Sequence, residues 1–274
     1  MSAATDNATA EAQVAGGRLI HLVTGTAAPA GALLRFADPV ASHAVVVPAG
    51  TPASKDGDVE PLTVAVYPFG EARETFAEWT SRVAETGRAA PIYLKARGVE
   101  LWWCPGQAVL QCDRNEADAL VGAVAEFQWY EGVLRGLEAG VVAGWSHLEQ
   151  DRPLAFDVTA ADLRGSDAVG ARMGEAFQRR IHFSRLEPHL FAADATMTAA
   201  AQKLGNDLRE KARFEDRAEA LDAHLETFEH IYEMASQRMG EFRASQQGHR
   251  VEWIIIWLLV AEVTLSLLQT VLKR

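Results

Sequence analysis

The densest group of chemically capable residues lies in the segment ETFEHIYE, which places Glu226, Glu229, His230 and Glu233 within eight positions. Di-iron proteins hold their metals with a Glu-x-x-His pair on each of two helices. Here the glutamates stand one and four positions before the histidine, and the sequence contains no second copy. We interpret the segment as a solvated, charged helix face, and we predict no metal site.

Sequence motifs of the common enzyme classes are missing from the chain. It has no GxGxxG, no Walker loop, no HExxH and no GxSxG. We therefore predict no catalytic residues and no cofactor, and we expect a protein that is not an enzyme. The alternative is an enzyme with an unrecognised site in the N-terminal domain. It predicts a pocket in which carboxylates, histidines or arginines converge.

The most basic segment of the chain is RRIHFSRLEPH. Its candidate contacts for an anionic partner are Arg179, Arg180, His182 and Arg185. Such a patch can bind the phosphates of RNA, of a ribosome or of an anionic lipid, or it can be an ordinary solvated face. The formal net charge of -11 at pH 7 excludes a broad electrostatic grip on nucleic acid, and we predict no DNA partner.

An apolar stretch of twenty residues spans 253–272 and contains one acid, Glu262. A helix of this length rises about 30 Å, close to the hydrocarbon thickness of a bilayer. The stretch predicts a membrane anchor over 250–272. The alternatives are a buried helix of a soluble oligomer and a helix that lies in the membrane interface.

One face of the apolar stretch is polar. Ser266, Gln269 and Lys273 fall within about 40° of Glu262 on a helical wheel. A polar stripe on an apolar helix favours contact with a partner helix, so we predict an oligomer face at Glu262, Ser266 and Gln269. The flanking Arg250, Trp253 and Trp257 are of the types that suit a membrane interface.

The flanks also predict where the protein resides. The N-terminal MSAATDNATAEAQVAGG has no basic region followed by an apolar run, so we expect no secretory signal. Arginines before the apolar stretch favour a membrane protein whose soluble domain faces the cytoplasm. A soluble cytoplasmic oligomer is the alternative. The two cysteines, Cys104 and Cys112, are interpreted as reduced thiols.

These residues are positioned by a chain whose hydrophobic period changes along its length. Short apolar runs bounded by glycine and proline predict strands over 18–25, 42–50 and 62–70, two short strands within 91–106 and another over 108–112, with a helix over 71–86. From residue 113 onward the period is helical, and a helix over 167–187 is expected to end before Pro188. The fold class is α+β, with long C-terminal helices that form a coiled-coil-like hairpin. We expect a disordered tail at 1–17, a domain over 18–190, a long helix over 194–247 and the apolar helix over 250–272.

A heptad seam runs along the long helix. Apolar residues recur in alternating steps of four and three. They are Phe214, Ala218, Leu221, Leu225, Phe228, Tyr232, Ala235, Met239 and Phe242. The seam fits a helix packed on its own domain, a helical hairpin or a coiled coil between subunits. Gly240 and Gly248 weaken the helix near its end and could mark a bend.

A second periodic feature consists of glycines. Gly132, Gly136, Gly140 and Gly144 recur at every fourth residue. On a helix they form a strip of small residues that lets another backbone approach closely. Alternatively, the glycines end the helix near Gly140 and form loops.

The C-terminal block FEHIYEMASQRMGEFRASQQGHRVEWIIIWLLVAEVTLSLL resembles the family named "required for meiotic nuclear division". Matching positions are Arg250, the pair Glu252-Trp253, the run Ile254–Ile256 and the pair Glu262-Val263. The resemblance covers about 40 residues. It implies a bacterial member at the inner membrane, an oligomeric, membrane-tethered scaffold that organises or supports translation there. Self-association, a membrane and a ribosome or RNA are the partners that this family suggests.

Overall fold

The computed structural model describes residues 18–24, 32–36, 42–47, 61–72, 74–85, 90–96 and 98–272. The side chains of 22–24, 42, 47, 250 and 266–272 are outside the description. The predicted disordered tail at 1–17 also lies outside the described residues.

The N-terminal part of the described chain forms one mixed seven-stranded sheet. The strands are β1 (Arg18–Thr24), β2 (Ala32–Arg35), β3 (Ser42–Val47), β4 (Leu62–Tyr67), β5 (Ile92–Ala96), β6 (Val99–Cys104) and β7 (Gln107–Gln111). Their order is β2-β3-β1-β4-β7-β6-β5. Neighbours are antiparallel except β4 and β7, which are parallel because helix α1 (Phe76–Ala84), β5 and β6 intervene in the chain.

The two faces of β6 pack against different helices, because successive side chains of a strand point to opposite faces. Trp102 belongs to a cluster with Trp79 of α1, and the two ring centroids are 6.1 Å apart. Trp103 packs edge-on against Phe127 of helix α2 (Ala117–Asp151), with 4.8 Å between ring centroids. Both tryptophans are buried, so this strand is part of the core on each side of the sheet.

Long helices follow the sheet. They are α2 (Ala117–Asp151), α3 (Ser166–Leu190), α4 (Ala199–Lys211) and α5 (Phe214–Leu272), with two short 3-10 turns between α2 and α3. The predicted class, α+β with long C-terminal helices that form a hairpin, is confirmed.

The chain divides into two compact units. The first comprises 1–141 and 181–223, and its described part holds the sheet, α1, α4, most of α2 and the start of α5. The second comprises 142–180 and 224–274. Its described core contains the end of α2, the first part of α3 and the remainder of α5, with Leu148, Phe228 and Tyr232 among the buried residues.

The helix boundaries differ from the expected ones. The helix expected over 194–247 is interrupted at Arg213, whose φ of 56° is left-handed. It then continues as α5 past Gly240 and Gly248 without a break. A glycine costs about 1 kcal/mol in a helix, which the neighbouring helix-forming residues can absorb. Likewise, α3 passes through Pro188 and ends at Leu190.

The glycine strip lies inside one continuous helix, because α2 runs through all four positions. Only part of the strip is a close-packing surface. A Cβ atom added at Gly144 would lie 2.8 Å from the Phe228 ring, whereas one added at Gly136 would meet no atom within 4 Å. In the second unit, Phe228 is 2% exposed and contacts Trp145 at 5.0 Å between ring centroids. Gly144 therefore makes room for a buried aromatic ring.

This contrast predicts opposite effects for one substitution at two sites. Gly144→Ala should destabilise the protein, because forcing the Phe228 ring to shift costs about 1–3 kcal/mol and exceeds the gain in helix propensity. Gly136→Ala should stabilise it by up to about 1 kcal/mol. Urea denaturation followed by far-UV circular dichroism measures both. Equal effects of the two substitutions would contradict the close-packing role of Gly144.

Candidate functional site

The C-terminal part of α5 is an apolar surface. We call residues 251–265 the exposed segment. Its large apolar side chains are between 48% and 69% exposed. They are Val251, Trp253, Ile254, Ile255, Ile256, Trp257, Leu258, Leu259, Val260, Val263 and Leu265. The eight consecutive residues 253–260 cover every direction around the helix, since successive residues are about 100° apart. An apolar surface of this extent marks an interaction site.

The predicted membrane anchor includes the exposed segment. Within the described ranges, no helix is both long and apolar enough to cross a membrane. The predicted transmembrane anchor over 250–272 and the predicted inner-membrane location are therefore wrong.

The polar stripe is described only at Glu262, which is exposed. The side chains of Arg250, Ser266 and Gln269 lie outside the described residues, as does Lys273. Trp253 and Trp257 are exposed within the segment, at 62% and 69%. The carboxylate that interrupts the apolar run therefore faces solvent in the single chain.

The heptad seam is buried within each unit by residues of the same chain. Leu221 in the first unit and Leu225, Phe228, Tyr232 and Met239 in the second are each less than 9% exposed. Phe242 is half-buried. The described part of the seam up to Met239 is thus a core surface, and it leaves no free face there for another subunit.

The basic segment is partly neutralised. In the second unit, Arg179 pairs with Glu175 at 3.1 Å and Arg180 with Glu229 at 3.5 Å. In the first unit, His182 and Arg185 are exposed. A patch with two of its arginines committed to glutamates offers a weaker attraction to phosphate than the sequence suggests.

The segment ETFEHIYE is a helix face as expected from its spacing. Glu226, His230 and Glu233 are exposed, while Glu229 makes the pair with Arg180. Among the described residues, no group of three or more histidines, cysteines or acids could hold a metal ion.

A buried ion pair in the first unit was not predicted from the sequence. Glu126 of α2 and Arg209 of α4 are 4% and 3% exposed, and their Oε2 and Nη2 atoms are 3.1 Å apart. The Glu126 Oε1 atom accepts a hydrogen bond from the backbone N–H of Asp194 at 3.1 Å. Burial raises the pKa of Glu126, although the charge of Arg209 opposes that effect.

A second, partly buried network lies in the same unit and surrounds the buried Glu131. Arg217 of α5 donates two hydrogen bonds to Glu138, both at 2.8 Å, and one to Glu131 at 2.6 Å. Arg135 also donates to Glu131, whose side chain is only 3% exposed. Burial lowers the pKa of Arg217, but its bonds to Glu138 and Glu131 outweigh burial, and the net pKa is raised.

The second unit has its own buried acid. Asp151, whose side chain is 6% exposed, accepts two hydrogen bonds from Arg172, both at 2.7 Å. The hydroxyl of Tyr232 donates a third at 3.3 Å.

The sequence contains part of the information needed to find the buried glutamates, since Glu126 and Glu131 stand within the otherwise apolar segment LVGAVAEFQWYE. Their arginine partners, however, are remote in sequence.

Comparison of the chain with protein-family models, with curated proteins and with solved structures found no match. The family resemblance of the C-terminal block therefore stays a prediction.

The raised pKa of Glu126 predicts a pH dependence of stability. The folded protein holds the Glu126 proton more tightly than the unfolded chain does, so this contribution is fully present below the ordinary glutamate pKa of 4.5. It is lost as the pH rises through the folded pKa. Urea denaturation at a series of pH values, starting below 4.5, should show the loss of unfolding free energy in the native protein but not in Glu126→Gln.

Glu241 provides the control, because it is exposed and its pKa is lowered, first by its hydrogen bond to Gln237. Glu241→Gln should leave the loss due to Glu126 intact, and a native slope unchanged by Glu126→Gln would contradict the assignment.

The Arg217 network predicts a large effect of truncation. Arg217→Ala leaves Glu131 buried with only Arg135, and the expected loss of unfolding free energy is about 3 kcal/mol. Arg238→Ala on the same helix is the matched control. Its side chain is 56% exposed and pairs with Glu241, so the expected change is within about 0.5 kcal/mol. Chemical denaturation compares the variants, and similar losses in both would show that the buried network contributes nothing.

Proposed function

We propose that this protein is a non-enzymatic scaffold that assembles with copies of itself through the exposed segment of α5. The observation that carries the proposal is the exposure of residues 251–265 on every side of the helix. Transfer of each large apolar side chain out of water contributes about 1.5–3 kcal/mol. Several such side chains per helix exceed what the association of two chains must offset.

A second copy of the chain is the occupant that the pattern favours. The heptad steps that reach Met239 continue through Phe242, Gln246 and His249 to the exposed segment. They then meet apolar residues again at Trp253, Ile256, Val260 and Val263. Identical helices that carry the same seam can pair in register, with each apolar residue in a hole of the other helix. The polar pair Gln246 and His249 separates the buried intrachain seam from the proposed interchain seam.

Glu262 has a defined place in this arrangement. Taking Trp253 as heptad position a, Glu262 falls at position c, outside the apolar seam. It can therefore remain in solvent when two helices pair, so this pairing does not use Glu262 as the oligomer contact that its sequence pattern favours. In larger bundles more of the helix surface is covered, and a carboxylate at this position would be buried unless it had a partner. Glu262 thus favours a small assembly over a large one.

The role of such an assembly is proposed from the family resemblance. The matching positions at Glu252-Trp253 and Glu262-Val263 lie within the exposed segment. We propose that the assembled protein supports or organises translation, as the resemblance suggests. The alternative of an RNA-binding module at the basic segment is less favoured, because Arg179 and Arg180 already pair with glutamates.

The experiment is a measurement of molecular mass in solution. The double variant Ile256→Arg and Val260→Arg places charges on the proposed seam, and we expect it to be monomeric under conditions in which the native chain is oligomeric. Sedimentation equilibrium over a range of concentrations gives both masses and the dissociation constant.

Two controls accompany the double variant. Ser245→Arg adds a charge at an exposed position of the same helix outside the segment, and its mass should equal that of the native chain. Glu262→Leu should not abolish association, because this residue lies outside the seam. A native chain that is monomeric at all concentrations, or a double variant with the native mass, would refute the proposal.

A further inference from the structure

The heptad pattern of α5 is interrupted by two polar residues. Its other positions between 214 and 263 are apolar or aromatic, and the two exceptions are Gln246 and His249. His249 is the residue of this pattern whose side chain changes charge near neutral pH. It lies four positions before Trp253, the first apolar residue of the proposed interchain seam. The proposed contact between two chains therefore begins at a group that responds to pH.

In the single chain, His249 is in solvent. Its side chain is 73% exposed, and its Nδ1 atom lies 3.2 Å from Oε2 of Glu252, one turn later on the same helix. Within the part of the chain that the structure describes, no other charged group pairs with the His249 side chain. The Glu252 side chain is 69% exposed. An ion pair in such a place is weak, because water and salt screen the attraction.

Pairing of two chains changes the surroundings of His249. With Trp253 at heptad position a, His249 occupies position d of the preceding heptad, inside the seam. In a parallel pair in register, the d residues of the two helices face each other across the seam. The two His249 side chains therefore meet in the assembly, although they are far apart in separate chains.

The charged residues beside this layer come from both helices. Each copy contributes Glu252 at position g, Arg250 at position e and Arg243 at position e of the heptad before. On each helix the arginines outnumber the acid, so the layer is positive even when both histidines are neutral. A proton added to either histidine therefore increases a charge that is already unfavourable for pairing.

We propose that His249 makes the assembly of this protein dependent on pH, so that chains pair when this histidine is neutral and separate when it is protonated. The inference rests on the proposed self-association through the exposed segment. Two unit charges a few ångströms apart near a protein surface repel each other strongly enough to change an equilibrium about tenfold. Protonation also strengthens the attraction of His249 to Glu252 in the single chain. Because assembled chains bind protons less tightly than single chains, association should strengthen as the pH rises through the range in which histidines lose their proton.

Sedimentation equilibrium of the full chain at about pH 8 and about pH 5.5 tests this dependence. We expect the dissociation constant of the native chain to be about tenfold higher at the lower pH. His249→Gln keeps a polar side chain that does not titrate, and its dissociation constant should be the same at both pH values. His249→Lys keeps a positive charge, so its chains should associate weakly at both. Circular dichroism establishes that each form is folded at each pH.

His230→Gln is the matched control. His230 is an exposed histidine of the same helix, and it lies at heptad position f, away from the seam. This variant should show the native response to pH. Equal dissociation constants of the native chain at both pH values, or a response that persists in His249→Gln, would overturn the role of His249 and leave self-association intact. A native chain that is monomeric at both pH values would refute self-association itself, and the inference with it.

Discussion

The packing of the first unit depends on carboxylates that α2 carries into an apolar interior. An isolated charge in such a place costs several kcal/mol, so each must meet a cation or lose its charge. Glu126 meets Arg209 of α4, and Glu131 meets Arg217 of α5. A buried pair is weak evidence of added stability, because desolvation offsets most of its attraction. Its effect is on specificity: α4 and α5 can occupy only the register on α2 that brings these groups together.

The interruption at Arg213 fits this constraint. It lies between the two arginines that reach α2, which stand eight residues apart and would point about 80° apart on an unbroken helix. Directly after it, Phe214 stacks on Phe127 of α2, with 5.3 Å between ring centroids. A left-handed arginine costs about 1–2 kcal/mol, which the burial of one large aromatic ring can offset. No glycine or proline marks the site, so local sequence signals could not place it.

The heptad pattern predicts an apolar seam on the helix but does not determine which surface covers it. The same alternation of four and three runs through buried Leu225 and Met239 and on to exposed Ile256 and Val260. In the first part the chain's own helices cover the seam. In the exposed segment, no described residue covers it. An apolar pattern by itself does not distinguish a helix in lipid from a helix in a protein core or in a contact between subunits. The transmembrane interpretation is wrong because no helix within the described ranges is both long and apolar enough to cross a membrane.

The sequence by itself determined the α+β class, the alternating strands before residue 113, the helical period after it and the apolar face of α5. These are local properties, set by side-chain periodicity and by turn residues, and they need no knowledge of distant partners. Only the tertiary structure decided that Gly144 faces Phe228, that the helix breaks at Arg213, and that Glu126 and Arg209 meet. Each of these depends on contacts between residues far apart in the chain. A glutamate in an apolar helix has the same local signature whether it faces water or an arginine, and only the surrounding elements distinguish the two.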